Sequence, residues 1–368
     1  MADELTTKIQ EALGTVVVPE LERDLIGLGM VDEIRVENGS ARLRLDPVTP
    51  ACPLKAGLEK SVRAALLALE GVDRVEIDWT TEVPRTVYGA EKLVPGVRNI
   101  VVVGSGKGGV GKSTVAGNLA LSLGAEGARV GLMDADIYGP NQPTMLGVSG
   151  EPRGEGTKIK PFYGPNGLKL ISIGFFVKSS EPVIWRGPML HGAVQQFLGD
   201  VAWGDLDYLI VDLPPGTGDV QLTLSQTIPV SGAVMVTTPQ AVSLEDMKKA
   251  AIAMNRVNIP ILGIVENMSG YTCRHCGETE YLFGKGGGKR VAAEFEVPFL
   301  GEIPMDPRVM VGGDDGKPVV VHEPESPAAR ALRRVARAMA VQVRIAAREA
   351  GGAAHSSPPR MPQPLPSS

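Results

Sequence analysis

The segment that most constrains this chain is Gly104-Ser105-Gly106-Lys107-Gly108-Gly109-Val110-Gly111-Lys112-Ser113-Thr114, set directly after the apolar run Asn99-Ile100-Val101-Val102-Val103. The run is too short for a helix and is bounded by glycine, so it reads as a buried strand. Residues 106–113 fit G-x-x-x-x-G-K-[ST]. In that motif glycines let backbone N–H groups close around phosphates, the lysine (Lys112) reaches the β and γ oxygens, and the hydroxyl (Ser113) binds Mg2+. The helical pattern AGNLALSLG that follows completes the strand, loop and helix the motif needs. A nucleotide site containing Gly106, Lys107, Gly108, Gly109, Val110, Gly111, Lys112, Ser113 and Thr114 is therefore expected.

The same stretch also satisfies G-x-G-x-x-G through Gly104, Gly106 and Gly109, with Asp134 near the end of the next strand, where a ribose-binding acid would sit. That dinucleotide reading leaves Gly111-Lys112-Ser113 unexplained. It also gives no role to Leu209-Ile210-Val211-Asp212-Leu213-Pro214-Pro215-Gly216 downstream. An apolar strand ending in Asp212 is what a magnesium shell requires, so a nucleoside triphosphate is favoured. The glycine-rich residues 284–289 lack the G-K-[ST] ending and a preceding strand, and read as a turn.

From residue 98 the grammar is alternating, with further strands expected at 128–133, 168–173, 208–211, 233–237, 261–265 and 299–302. It specifies an α/β fold, a doubly wound and mostly parallel sheet. The preceding residues read as a small α+β domain, with helices at 6–13 and 54–69, a hairpin at 31–45 turning at Asn38-Gly39, and a strand at 72–79. The expected division is a first domain over 1–85, a linker over 86–97 that includes Tyr88, Gly89 and Pro95, the P-loop domain over 98–348, and a compositionally disordered tail over 349–368. The 45 glycines and 29 prolines make about a fifth of the chain, against about 12% in average usage. The tail holds only part of that excess, so the rest is expected in phosphate and switch turns.

A net charge of −5 gives no global attraction to nucleic acid or to an anionic membrane. No run of about 18 uncharged apolar residues occurs, and MADELTTKIQ lacks the basic and apolar regions of a signal peptide. A soluble cytoplasmic protein, with neither nucleic acid nor membrane as partner, is the expectation.

Lys107 is a second lysine inside the loop, and GKGGVGKST is similar to the deviant Walker A loop of the SIMIBI ATPases, the class that includes MinD, ParA and the nitrogenase iron protein. The resemblance implies an ATPase in which Lys107 reaches across a nucleotide-bridged homodimer, neutralising developing charge only once the dimer has closed. Asp134-Ala135-Asp136-Ile137-Tyr138-Gly139-Pro140-Asn141 resembles the switch I of that class. By that resemblance Asp136 orients the attacking water and Asp134 joins Asp212 in the magnesium shell; helix capping is the plainer account of either Asp134 or Asp136. The catalytic residues so implied are Lys107, Lys112 and Asp136.

Three segments, DADIYGPN at 134–141, DLPPGTGD at 212–219 and ENMSGYTCRHCGE at 266–278, resemble one branch of that class, the Mrp/ApbC-type iron–sulphur cluster carriers. The likeness spans about 98–345. The stretches VPELERDLIGLGMV and TPACPL look like the small iron–sulphur assembly domain often fused in front of such ATPases, with Val18 where that domain commonly has Asp. What this implies is ATP, Mg2+ and a [4Fe-4S] cluster as cofactors, and a homodimer that hands the cluster to apo iron–sulphur client proteins. It also sets Asn267 against the N6/N1 edge of adenine, with Asp306 nearby.

Cys273 and Cys276, spaced by two residues and followed by Gly277, form a turn whose amides can point at sulphur. Two ligands complete neither a zinc site nor a four-cysteine cluster, whereas a two-fold dimer doubles them. Structural zinc fits the same ligands and spacing, and a dithiol is a weaker fit. The cluster reading takes most of its weight from the resemblance. Cys52 reads first as a packing residue, and its TPACPL setting leaves receiving or handing over a cluster or thiol-bound group as a secondary role. A rival function is a MinD/ParA-like positioning ATPase with a structural zinc knuckle. Its membrane device would be the arginine-rich helix expected at 328–348, which lacks Trp or Phe for insertion and reads better as a helix closing the domain.

Overall fold

The computed structural model describes residues 2–19, 21, 23–80, 82–87, 93–176, 187–216, 228–273 and 275–353. The expectations placed on Tyr88 and Gly89, on residues 217–219 and on the tail beyond Ala353 lie outside these residues.

The N-terminal unit contains the helix Ala2–Leu13, the short strands β1 (Val17–Val18) and β2 (Arg23–Asp24), β3 (Val31–Glu37), β4 (Ser40–Leu45), the helix Lys55–Leu67, and β5 (Arg74–Trp79). β3 and β4 pair antiparallel and β5 joins β4 in parallel. The hairpin turns at Asn38 and Gly39, with φ of 47° and 75°, the left-handed pair a tight β-turn requires. Val18 is fully buried on β1.

The second unit is built on β6 (Ile100–Ser105), β7 (Val130–Asp134), the hairpin β8 (Arg153–Glu155) and β9 (Lys158–Lys160), β10 (Phe162–Tyr163), β11 (Lys169–Ser172), β12 (Tyr208–Asp212), β13 (Gly232–Thr237), β14 (Ile261–Thr272), β15 (Thr279–Glu280) and β16 (Phe299–Met305). Its sheet runs β10-β11-β7-β12-β6-β13-β14-β15, with β16 also on β14. All pairings are parallel except β10 on β11 and β15 on β14. β12 therefore lies between β6 and β7, which brings the carboxyl ends of three strands, and the phosphate loop, to one edge.

The strands are apolar on both faces because helices cover both. Val101 and Val103 join one apolar cluster with the helix Lys112–Ala125 and the terminal helix Pro327–Ala353; Ile100 and Val102 join the other, with the helix Ala241–Arg256. The first cluster continues without a break into the N-terminal unit through Leu43, Val62 and Leu66. The terminal helix runs on to Ala353, past the expected end at 348. Among the described residues no helix is long and apolar enough to cross a membrane.

Polar contacts join the two units where the phosphate-loop helix ends. Thr49 Oγ1 donates to Glu126 Oε2 (2.6 Å), Arg337 Nη2 lies 2.7 Å from Glu126 Oε1, and the Ala51 amide donates to the Glu126 carbonyl (2.8 Å). Arg344 pairs with Asp46 (2.7 Å) and donates to the Pro47 carbonyl (2.6 Å), and Arg348 lies 3.2 Å from Asp46. Two arginines of the terminal helix, Arg344 and Arg348, thus hold the N-terminal unit directly, and Arg337 braces Glu126, the residue that Thr49 and Ala51 contact. Glu126→Ala removes a close, buried carboxylate partner of Arg337 and is expected to cost about 3–5 kcal/mol, read by chemical denaturation; a loss under about 1 kcal/mol would show that the pair contributes little there.

Candidate functional site

The phosphate loop occupies the turn between β6 and the helix Lys112–Ala125, and its shape is enforced by close neighbours. A Cβ on Gly106 would fall 2.2 Å from the Asp246 carbonyl carbon, and one on Gly111 (φ 82°) would fall 2.2 Å from Asn267 Nδ2. Glycine is the residue that fits both places. The loop walls a cavity of about 710 Å³ together with Ser105, Lys107, Gly108, Gly109, Ser113, Thr114, Asp136 and Asn267. Val110 is buried behind it.

Beneath the loop sits a buried acidic cluster with one cation in its middle. Lys112 Nζ lies 2.5 Å from Asp212 Oδ1, 3.4 Å from Asp136 Oδ2 and 3.2 Å from Ser113 Oγ. Burial works to lower the lysine's pKa, but Asp212 and then Asp136 overcome that and raise it, so Lys112 stays charged. Asp134 is fully buried and pushed up to about 8, first by burial and then by the charge of Asp212. Burial, partly offset by Lys112, also raises Asp136. β7 and β12 place Asp134 and Asp212 directly opposite one another in parallel register, which is why both expected carboxylates converge. Lys107 lines the cavity and pairs with no carboxylate among the described residues.

Two side chains that sequence reasoning missed complete this cluster. Gln142, fully buried, donates through Nε2 to Asp212 Oδ2 (2.9 Å) and to the Ser113 carbonyl (2.8 Å), and its amide N–H meets Asp134 Oδ2 (3.2 Å). Its Oε1 is buried and has no hydrogen-bond partner among the described residues. Ser172, at the end of β11, donates to Asp134 Oδ2 (2.8 Å). The proximity of Gln142 to DADIYGPN was the one available signal. A cation, the Lys112 ammonium, already sits among Ser113 Oγ, Asp212 and Asp136; if the lysine turned to phosphate, Ser113 and Asp212, with Asp134 opposite Asp212, could hold a divalent ion.

Asn267 lies at the cavity wall with Nδ2 donating to the Val110 carbonyl (2.9 Å), a contact with the loop that the sequence did not suggest. Asp306 caps the helix Pro307–Asp314, accepting from the Arg308 amide (3.0 Å) and pairing with its guanidinium (2.7 Å). The cysteine pair follows β14, a strand that runs seven residues past its expected end. The Cys273 thiol is held below the usual range by the backbone N–H of Cys276, then that of His275 and the Cys276 thiol. Cys276 is exposed and Cys273 half-buried, while Arg274 lies outside the described residues. Cys52 is buried and its thiol pushed up, chiefly by that burial, as suits a packing residue.

Residues 96–340 match the family described as NUBPL iron-transfer P-loop NTPase, and residues 6–79 match one described as iron–sulfur cluster assembly protein. The chain is 49% identical over 337 residues to an iron–sulfur cluster carrier protein of Deinococcus radiodurans, covering 91% of this chain and 94% of that one. A nucleotide-binding protein of Archaeoglobus fulgidus, solved in complex with ADP, aligns with a TM-score of 0.58 and 37% identity over 67% of this chain and 95% of its own. The cell division ATPase MinD of Pyrococcus furiosus aligns with a TM-score of 0.50 and 26% identity over 66% and 98%.

A carboxylate held protonated must lose its proton to face a divalent cation. Between its ordinary 3.8 and about 8, Asp134 keeps in the folded chain a proton that the unfolded chain releases. Nucleotide-free stability should therefore fall as pH rises through that window, while Mg2+-dependent nucleotide affinity should rise. Calorimetric titration between about pH 6 and about pH 8 should show the affinity rise and proton release on binding, with both reduced in Asp134→Asn. A flat profile in the native chain would contradict this.

Proposed function

Because the chain belongs to the iron–sulphur cluster carrier family of P-loop NTPases, we propose that it binds and hydrolyses ATP with Mg2+ and carries a [4Fe-4S] cluster between two copies of itself to apo iron–sulphur proteins. The observation that supports this reading is that one chain carries both a phosphate-loop cavity and a two-cysteine turn. The knuckle offers two sulphurs, one already drawn toward thiolate by backbone amides. Among the described residues of one chain, no group of three or more His, Cys, Asp or Glu side chains is gathered for a metal. A two-fold interface sets each cysteine opposite its own copy and makes four.

Within the nucleotide site each residue's work follows from where it sits. Lys112 leaves Asp212 and Asp136 for the β and γ oxygens, trading carboxylate partners for phosphate ones. Gly106, Gly108, Gly109 and Gly111 let loop amides face the phosphates. Magnesium, once bound, would shield phosphate charge, and Gln142 and Ser172 keep the carboxylates aimed. Asp136, relieved of the lysine, orients the attacking water. Lys107, which pairs with no carboxylate among the described residues, reaches in this reading to the phosphates of a second copy as the dimer closes, so that hydrolysis is tied to assembly. With Nδ2 on Val110, Asn267 keeps its carbonyl to accept from an adenine amino group.

Anaerobic reconstitution with iron and sulphide should load about four irons per dimer, and Cys273→Ala or Cys276→Ala should lose them. Stoichiometric zinc that iron does not displace would overturn the cluster reading and favour a structural zinc knuckle. In Lys112→Ala the cluster should remain, while nucleotide-dependent transfer to an apo-acceptor drops to the nucleotide-free rate; transfer that still responds to ATP would break the proposed coupling.

A further inference from the structure

The cysteine knuckle is the tip of an excursion whose two arms both return to the nucleotide cavity. On the outgoing arm, β14 bulges after Asn267: its register on β16 shifts between Asn267 and Tyr271, where it pairs again with Met305, and Met268 takes φ 55°, a left-handed conformation rare for methionine. Asn267 and Met268 line the cavity, and Cys273 follows five residues on. On the returning arm, β15 pairs antiparallel with the end of β14 and leads to Phe283, which lines the same cavity and is 37% exposed. Phe283 lies seven residues after Cys276.

The base of the excursion is stapled from below. Glu266, fully buried, accepts from Ser269 Oγ (2.7 Å), from the Gly288 amide (2.6 Å) and from the Gly286 amide (3.3 Å). The glycine turn at 284–289 is thus the seat in which this carboxylate caps the helix Gly287–Glu294. With its root fixed and its arms paired as a ribbon, the excursion joins the cavity wall at Met268 and at Phe283.

We propose that Phe283 is the positioning residue that couples the two sites: a purine nucleotide in the cavity packs against its ring and draws the returning arm inward, which fixes Cys273 and Cys276. An aromatic face beside a purine gives a contact large enough to order a short arm at small entropic loss. This rests on the carrier reading for its purpose, but not for its test. The nucleotide would then be sensed at the cysteines through its base side, separately from any dimer closure driven by the γ-phosphate.

The test uses the reduced, cluster-free full chain, pulsed with iodoacetamide with and without saturating Mg·ADP, which has no γ-phosphate. Peptide mass spectrometry resolves Cys273 and Cys276 from Cys52. In the native chain ADP should slow alkylation of the pair about fivefold, at the low end of measured couplings between sites. In Phe283→Ala, at ADP levels that saturate that variant, the ratio should fall close to one, and Phe283→Tyr should restore it. Equal rates with and without ADP in the native chain would overturn the proposal. So would an alanine variant that keeps the native ratio, including one whose two rates rise together through general loosening. Failure to take up iron would leave this readout standing, so the two readings fail separately.

Discussion

The structure turns on a single buried cation. Three aspartates, two of them fixed opposite each other by strand pairing, would repel one another if left to themselves below the sheet edge. The Lys112 ammonium lies 2.5 Å from Asp212 and 3.4 Å from Asp136, and Asp134 answers the remaining charge by holding its proton. The phosphate loop and its three aspartates are therefore one electrostatic unit in the nucleotide-free chain. In the proposed cycle, nucleotide entry would move one positive charge and admit another, so loop and carboxylates would rearrange together.

Much of this was legible in the sequence because it is written locally. The alternation of Ile100 and Val102 against Val101 and Val103, the glycine spacing and the acid ending each strand are properties of short segments. The seven parallel strands of the sheet and the hairpin at Asn38-Gly39 follow from such signals. What escaped is tertiary. Gln142, Ser172 and Glu266 act on partners distant in sequence or through turns that only the folded chain creates, and a single polar residue in a loop carries no pattern. The seven-residue extension of β14 was hidden for a similar reason: Met268 interrupts the strand with a backbone conformation that composition does not announce.

The knuckle shows how local and global requirements meet. Its amides depress the Cys273 pKa without help from distant charge, so the turn makes its own thiolate-friendly sulphur. The ribbon behind it does something else. Because both arms begin at the nucleotide wall and the root is fixed by Glu266, the sulphurs cannot be repositioned without passing strain through residues that border the cavity. The proposed site assembled from identical halves would need that control, since a small rotation of each half is doubled across a symmetry axis.

The junction at Glu126 bears on how such a chain can be inherited and engineered. The helix that starts at the phosphate loop ends on a loop of the N-terminal unit, and arginines from the last helix close over the joint. A catalytic unit transplanted by itself would carry an exposed apolar face together with the charges of Glu126 and Arg344, which are matched to Thr49, Asp46 and Pro47. In this chain a cut at the linker is therefore not neutral: it would uncover the apolar face and part Glu126, Arg344 and Arg348 from Thr49, Asp46 and Pro47.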